Sequence, residues 1–164
     1  MKSLFLILAS SIFTFSAFSA EYTVISEKFF LNEDGSHLEG HTFQQIENFK
    51  SLPSGEFEYS WKNKVLKEDG TWFDGSEIKV GPPTYQNLAP TFLYNLCLDL
   101  RGVFEDIEIK AGKFNSCKIE TNNETYGNSI LWYIDGVPFS VKSVYRFKNT
   151  RTVSQAISID VKPD

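Results

Sequence analysis

The chain is poor in the residues that most often carry chemistry: two cysteines, two histidines and one methionine in 164 residues. No serine sits in G-x-S-x-G, and Ser54, in Pro53-Ser54-Gly55, has no nucleophile-elbow context. His37 and His41 stand at a spacing that would share a helix face and hold zinc. However, Gly40 and Asp34-Gly35 read as a turn, and Leu38 occupies the place where a zincin requires Glu. Asp69, Thr71, Asp74, Ser76 and Glu77 crowd oxygen ligands into one stretch, but Phe73 stands where a calcium loop needs a ligand, and hairpin turns explain the residues. Glu105, Asp106 and Glu108 follow one another as the acids of a solvated strand face do, not as an acid/base pair. The expectation is no enzyme, no metal and no cofactor.

Basic charge is also scarce. Lysines and arginines are dispersed among a larger number of acids, for a formal charge of −5. Nucleic acid, which demands clustered cations to release counterions, is therefore not an expected partner, and neither is an anionic membrane surface. No apolar run reaches the roughly 20 residues of a spanning helix. The longest, Leu4 to Phe18, follows Met1-Lys2-Ser3 and precedes Ala17-Phe18-Ser19-Ala20, the order of a secretory signal peptide cleaved after Ser19 or Ala20. Loss of Lys2 brings the charge to −6. With no cysteine near that exit, a lipid anchor is not expected. The reading is a leader over 1–20 and a single β-rich domain over 21–164, soluble and secreted or periplasmic.

An oxidising compartment makes a disulfide the default for Cys97 and Cys117. The closed loop of about 20 residues is worth about 3 kcal/mol in the chain-entropy model. A catalytic thiol is not expected, because no histidine follows His41. Asn123-Glu124-Thr125 matches the glycosylation acceptor pattern and suits a surface loop.

What is abundant is aromatic side chains in strand-like alternation. Tyr22 to Leu31 reads as a strand running into Asn32-Glu33-Asp34-Gly35. Residues 43–51 are open between helix and strand, since Thr42 and Gln45 have capping-box spacing. Phe57, Tyr59, Trp61 and Val65 alternate with polar residues. Asp69-Gly70 and Asp74-Gly75 both read as turns, with a short strand over Ile78 to Val80 stopped by Gly81-Pro82-Pro83. Leu88, Phe92, Leu93, Leu96, Cys97 and Leu100 form one helical stripe ended by Gly102, predicting the main helix over 88–101. A hairpin turning at Ala111-Gly112 follows. Next come a central strand over Ile130 to Ile134, a strand with Phe139, Val141, Tyr145 and Phe147 on one face, and an alternating segment with Ile157, Ile159 and Val161.

Ala111-Gly112-Lys113-Phe114, Cys117-Lys118, Trp132-Tyr133 and Gly136-Val137-Pro138-Phe139 occur in an order that resembles a group of uncharacterised exported bacterial envelope proteins. In these a hairpin with the motif G-x-F-x-x-C-K precedes a W-Y-x-x-x-V-P strand. That group is similar in turn to periplasmic lipoprotein carriers, whose curved antiparallel half-barrel wraps around helices and holds acyl chains. The resemblance covers about Leu88 to Phe147. It implies a mainly β (α+β) fold, a half-barrel or open sandwich with the 88–101 helix packed on it and no catalytic site. The functional expectation is an exported binding module holding an apolar or lipid-like ligand, or a protein partner, on a concave face lined by Phe57, Tyr59, Trp61, Trp132, Phe139 and Tyr145. The alternative is a structural or adhesive interaction domain whose core is filled.

Overall fold

Alternating apolar and polar side chains make strands of almost every segment that the computed structural model describes, namely residues 20–38, 42–52, 57–80, 92–123, 127–147 and 149–163. Residues 1–19, which hold all but the last residue of the expected leader, lie outside the described residues, as do His41, Ser54, Gly81-Pro82-Pro83 and Glu124-Thr125. The elements are β1 (Ala20–Leu31), β2 (Phe43–Ser51), β3 (Phe57–Leu66), β4 (Trp72–Val80), α1 (Phe92–Asn95), β5 (Val103–Ile109), β6 (Gly112–Asn123), β7 (Gly127–Ile134), β8 (Ser140–Phe147) and β9 (Thr150–Pro163). They form one nine-stranded sheet in the order β4-β3-β2-β1-β9-β8-β7-β6-β5. Each neighbouring pair is antiparallel. Two meanders, β1–β4 and β5–β9, thus meet where the first strand pairs with the last, and β4 and β5 are the edges of an open sheet.

Residues 43–51 are a strand. β2 is flanked by β1 and β3, so both edges of its backbone find ladder partners, which outweighs one capping-box spacing. Asp69-Gly70 makes the expected turn, with Gly70 at φ 80°. Asp69 Oδ1 accepts from the amide and the hydroxyl of Thr71 at 2.8 and 2.6 Å. Asp74-Gly75 does not turn the chain. It lies inside a continuous β4, where the register shifts opposite Lys62–Lys64 as a β-bulge. A Cβ on Gly75 would come 2.7 Å from the Asn63 carbonyl oxygen, so close approach and not a turn accounts for this glycine.

The helix is the main departure from the sequence reading. Residues 88–91 lie outside the described residues, and the rest of the 88–101 stretch is helical only at Phe92–Asn95. From Leu96 to Arg101 the chain runs through turns. Arg101 N–H donates to Leu98 O at 3.0 Å and Gly102 N–H to Cys97 O at 2.6 Å. With Arg101 at φ 58°, this is the Schellman ending of a helix. The stripe fails because its burial is local. Cys97 is fully buried, whereas Leu100 at the end of the stripe is 41% exposed, and helices of this length persist only through packing.

Two apolar clusters hold the sheet. The larger one includes Leu31, Ile107, Ile109, Trp132, Ile134, Val144 and Val153, which the register places on one face of β1 and β5–β9. The hairpin β5–β6 folds its tip back over this core. Ala111 N–H donates to Ala156 O at 3.2 Å beside the β1–β9 register shift, and Lys110 pairs with Glu27. The smaller cluster joins Cys97, Cys117 and Ile119 with Tyr94 and Tyr133 on the other face.

The Cys97–Cys117 disulfide, with Cα atoms 5.6 Å apart, ties the α1 segment to β6. Gly102 packs against it so closely that a Cβ would stand 2.8 Å from both sulfurs and from Cys97 O. Gly102→Ala is expected to lower stability by about 1–3 kcal/mol through overpacking, and Cys97→Ala/Cys117→Ala by about 3 kcal/mol. Urea unfolding of the single, double and combined variants checks this. In the cysteine-free background the Gly102→Ala penalty should shrink, and equal penalties in both backgrounds would contradict the packing account.

Candidate functional site

Register decides which of the aromatic side chains meet. Across the first meander, paired positions form rows on one face: Tyr22–Phe49–Tyr59, Val24–Glu47–Trp61–Ile78 and Lys28–Phe43–Val65–Phe73. Phe139, from the β7–β8 connection, lies on the first row, its ring centroid 6.0 Å from Phe49 and 5.5 Å from Tyr59. Tyr145 on β8 pairs with Thr152, which pairs in turn with Phe30 of β1, so it shares this face.

Of the six side chains expected to face a ligand, Tyr59, Trp61, Phe139 and Tyr145 are therefore brought together on one face. Trp132 is not with them. It projects from the opposite face, 7% exposed within the larger core. Its Nε1 donates to Glu105 Oε1 at 2.6 Å, and Lys142 Nζ lies 4.8 Å from its ring centre. The Phe57 side chain lies outside the described residues; its backbone pairs with Ser51.

Two charged residues sit among the aromatics. On this face Lys28 adjoins Ser26, Phe30 and Phe43, and Glu47 adjoins Val24, Gln45, Phe49 and Trp61. Tyr59 Oη donates to Glu47 Oε1 at 2.9 Å, and Lys28 Nζ lies 5.9 Å from the Phe43 ring centre. Burial pushes Glu47 above the ordinary glutamate value, against the lowering effects of the Tyr59 hydrogen bond and the Lys28 charge. Burial pulls Lys28 down, partly offset by Glu47. Burial first, then the charge of Glu47, raises Tyr59 well above the usual phenol range, and burial pushes the nearby Tyr133 up to about 12. Burial thus works against both charges, which makes the pair a candidate functional feature of this face.

Beyond Trp61 the face becomes more open toward the β4 edge. Val65 and Ile78 are each 44% exposed and Phe73 is 56% exposed. Sequence reasoning passed over Lys28, Glu47, Phe73 and Ile78. The signal for the first two was present, since a Lys and a Glu share the parity of the large apolar residues on their strands.

The other sequence candidates resolve into local structure. His37 stacks on Phe29 at 4.8 Å and forms a bridge to Leu31. Asp74 pairs with Lys64 at 3.4 Å. Asp106 accepts from Asn115 at 3.1 Å, Glu108 pairs with Lys113 at 3.2 Å, and Glu105 is engaged by Trp132. Among the described residues no three of His, Cys, Asp and Glu cluster as metal ligands would.

No family model matches the chain, and no curated protein matches it. Among solved structures, the complex of Pseudomonas aeruginosa MucA and MucB is similar over 87% of this chain and 52% of that chain, with a TM-score of 0.46 at 10% identity. The chain thus spans about half the length of that protein.

The folded protein holds the Glu47 proton more tightly than the unfolded chain does. Its favourable contribution is therefore complete below the ordinary value of 4.5 and lost as pH rises through the raised folded value. Glu47→Gln, which keeps an acceptor for Tyr59, should gain on the wild type as pH rises from about 4 to about 8. Urea midpoints across that range test this, and parallel profiles for the two proteins would contradict it.

Proposed function

We propose that the chain is an exported binding module that docks a protein partner across the β3–β4 part of the aromatic face, and that it acts by binding and not by catalysis. The observation that carries this reading is the exposure of Val65, Phe73 and Ile78 on the same face as Trp61, next to an open sheet edge. β4 is an edge strand that presents Phe73 and Ile78 on this face, and an edge is the geometry by which sheets recruit an added strand or an apolar segment. Several such residues adjoining on one surface mark an interaction site more often than isolated ones do. Export is supported by the signal-like N-terminus and agrees with the Cys97–Cys117 disulfide. Binding rather than catalysis is supported by the engagement of Glu105, Asp106 and Glu108 in separate structural contacts.

A second reading, a lipid-like ligand on the same face, is favoured by one observation. Lys28, Glu47 and Tyr59 place polar groups within aromatic surroundings, which suits an apolar chain ending in a polar head.

Photo-crosslinking amino acids at Phe73, at Trp61 and, as a control on the opposite face, at Lys64 separate these readings in cells of the native host. A protein adduct from position 73 but not from position 64 is expected. A lipid adduct from position 61 without a protein adduct would favour the second reading, and no adduct from either position would overturn both. Phe73→Ser and Ile78→Ser should each change stability by no more than about 0.5 kcal/mol, because exposed side chains contribute little to the fold. Both should weaken the position-61 protein adduct. A large loss of stability on urea unfolding would instead mark these side chains as structural.

A further inference from the structure

At the far end of β8 and β9, away from the aromatic rows, two arginines stand directly opposite one another. Arg146 and Arg151 are register partners, and like charges at such positions repel. Among the described residues neither takes part in an ion pair. The Nε of Arg151 is shut off from solvent and, among the described residues, has no hydrogen-bond partner. A buried donor without an acceptor is destabilising, and more so when charged. The two arginines line a pocket of about 320 Å³ with Asn32, Glu33 and Gly35 of the turn after β1, with Asn149 of the β8–β9 turn and with Thr150 at the start of β9. The turn residues are themselves fixed. Asn32 Nδ2 donates to Ser36 Oγ at 3.0 Å, and Gly35 N–H donates to Asn32 O at 3.0 Å.

Two cations at paired ladder positions that line one pocket call for an anion there. With Glu33 at the rim, the two arginines leave the lining with a net charge of one positive unit. That balance suits a singly charged oxyanion better than a dianion. A planar carboxylate satisfies one guanidinium fork, whereas a tetrahedral group can offer separate oxygens to forks that come from two strands. A phosphate monoester approaches two negative charges at neutral pH, while a diester carries one. We propose that this pocket binds a phosphodiester through Arg146 and Arg151. The site is independent of the β3–β4 docking surface.

Titration of the protein with dimethyl phosphate, followed through the arginine Nε–Hε NMR signals, tests the proposal. A saturable shift of Arg151 and Arg146 is expected, with inorganic phosphate and acetate binding more weakly. Arg151→Gln and Arg146→Gln should each weaken binding roughly tenfold or more, the scale of a charge-assisted hydrogen bond, while Lys64→Gln leaves it unchanged. If Arg151→Gln fails to fold, Arg146→Gln carries the test alone, because Arg146 is exposed. Absence of a saturable shift would overturn the proposal. So would binding undiminished in the arginine variants, an equal loss in Lys64→Gln, or acetate binding as tightly as the diester. Sedimentation with vesicles of phosphatidylglycerol in phosphatidylcholine identifies the source. Arginine-dependent cosedimentation assigns a lipid head group, and saturable dimethyl phosphate binding without it assigns a free diester.

Discussion

The antiparallel ladder between β1 and β9 is the interaction on which the rest of the molecule depends. It runs from Ala20 opposite Pro163 to Leu31 opposite Arg151, joining two meanders whose strands otherwise pair only with sequence neighbours. Each meander could form by local hairpin closure, but this ladder closes the longest loop in the chain, and loop entropy makes such a pairing late and slow. Its one irregularity has a use. The register shift at Ile25/Ser26 comes where Ala156 O accepts the Ala111 amide, so the bulge in the central ladder is also where the β5–β6 tip docks.

That arrangement gives the sheet unlike faces. On the C-terminal side, the face carrying Ile107, Trp132, Ile134 and Val144 is a packed core, and the disulfide anchors the α1 segment on the reverse. On the N-terminal side the reverse face carries aromatic rows with Lys28 and Glu47 embedded in them, and it opens toward Phe73 and Ile78 at the β4 edge.

Much of the fold was legible in the sequence because strand alternation is a local signal. Tyr59 and Trp61 share a face as their spacing required, Leu131 and Trp132 are apolar on both faces of an inner strand, and Cys97 pairs with Cys117. What escaped was set by tertiary context. The stripe from Leu88 to Leu100 has helical period, yet the disulfide and the Schellman ending at Arg101 leave one described helical turn. Asp74-Gly75 has the composition of a hairpin turn and became a bulge because both neighbouring stretches found partners on β3. Trp132 was grouped with Tyr59 and Trp61 as a large aromatic, but which face it takes depends on a register that β6 and β8 impose. The Arg146–Arg151 pairing depends in the same way on how β8 meets β9.

The central claim is that β1 and β9 bind the two meanders into one cooperative sheet. Native-state hydrogen exchange measures this most directly. The inner amides of β1 and β9 should exchange only through global unfolding, with the same free energy and urea dependence as those of β7 and β8. If β1 and β9 exchanged through a lower-energy opening while β6 to β8 stayed protected, the two meanders would be separate units and the account would be wrong.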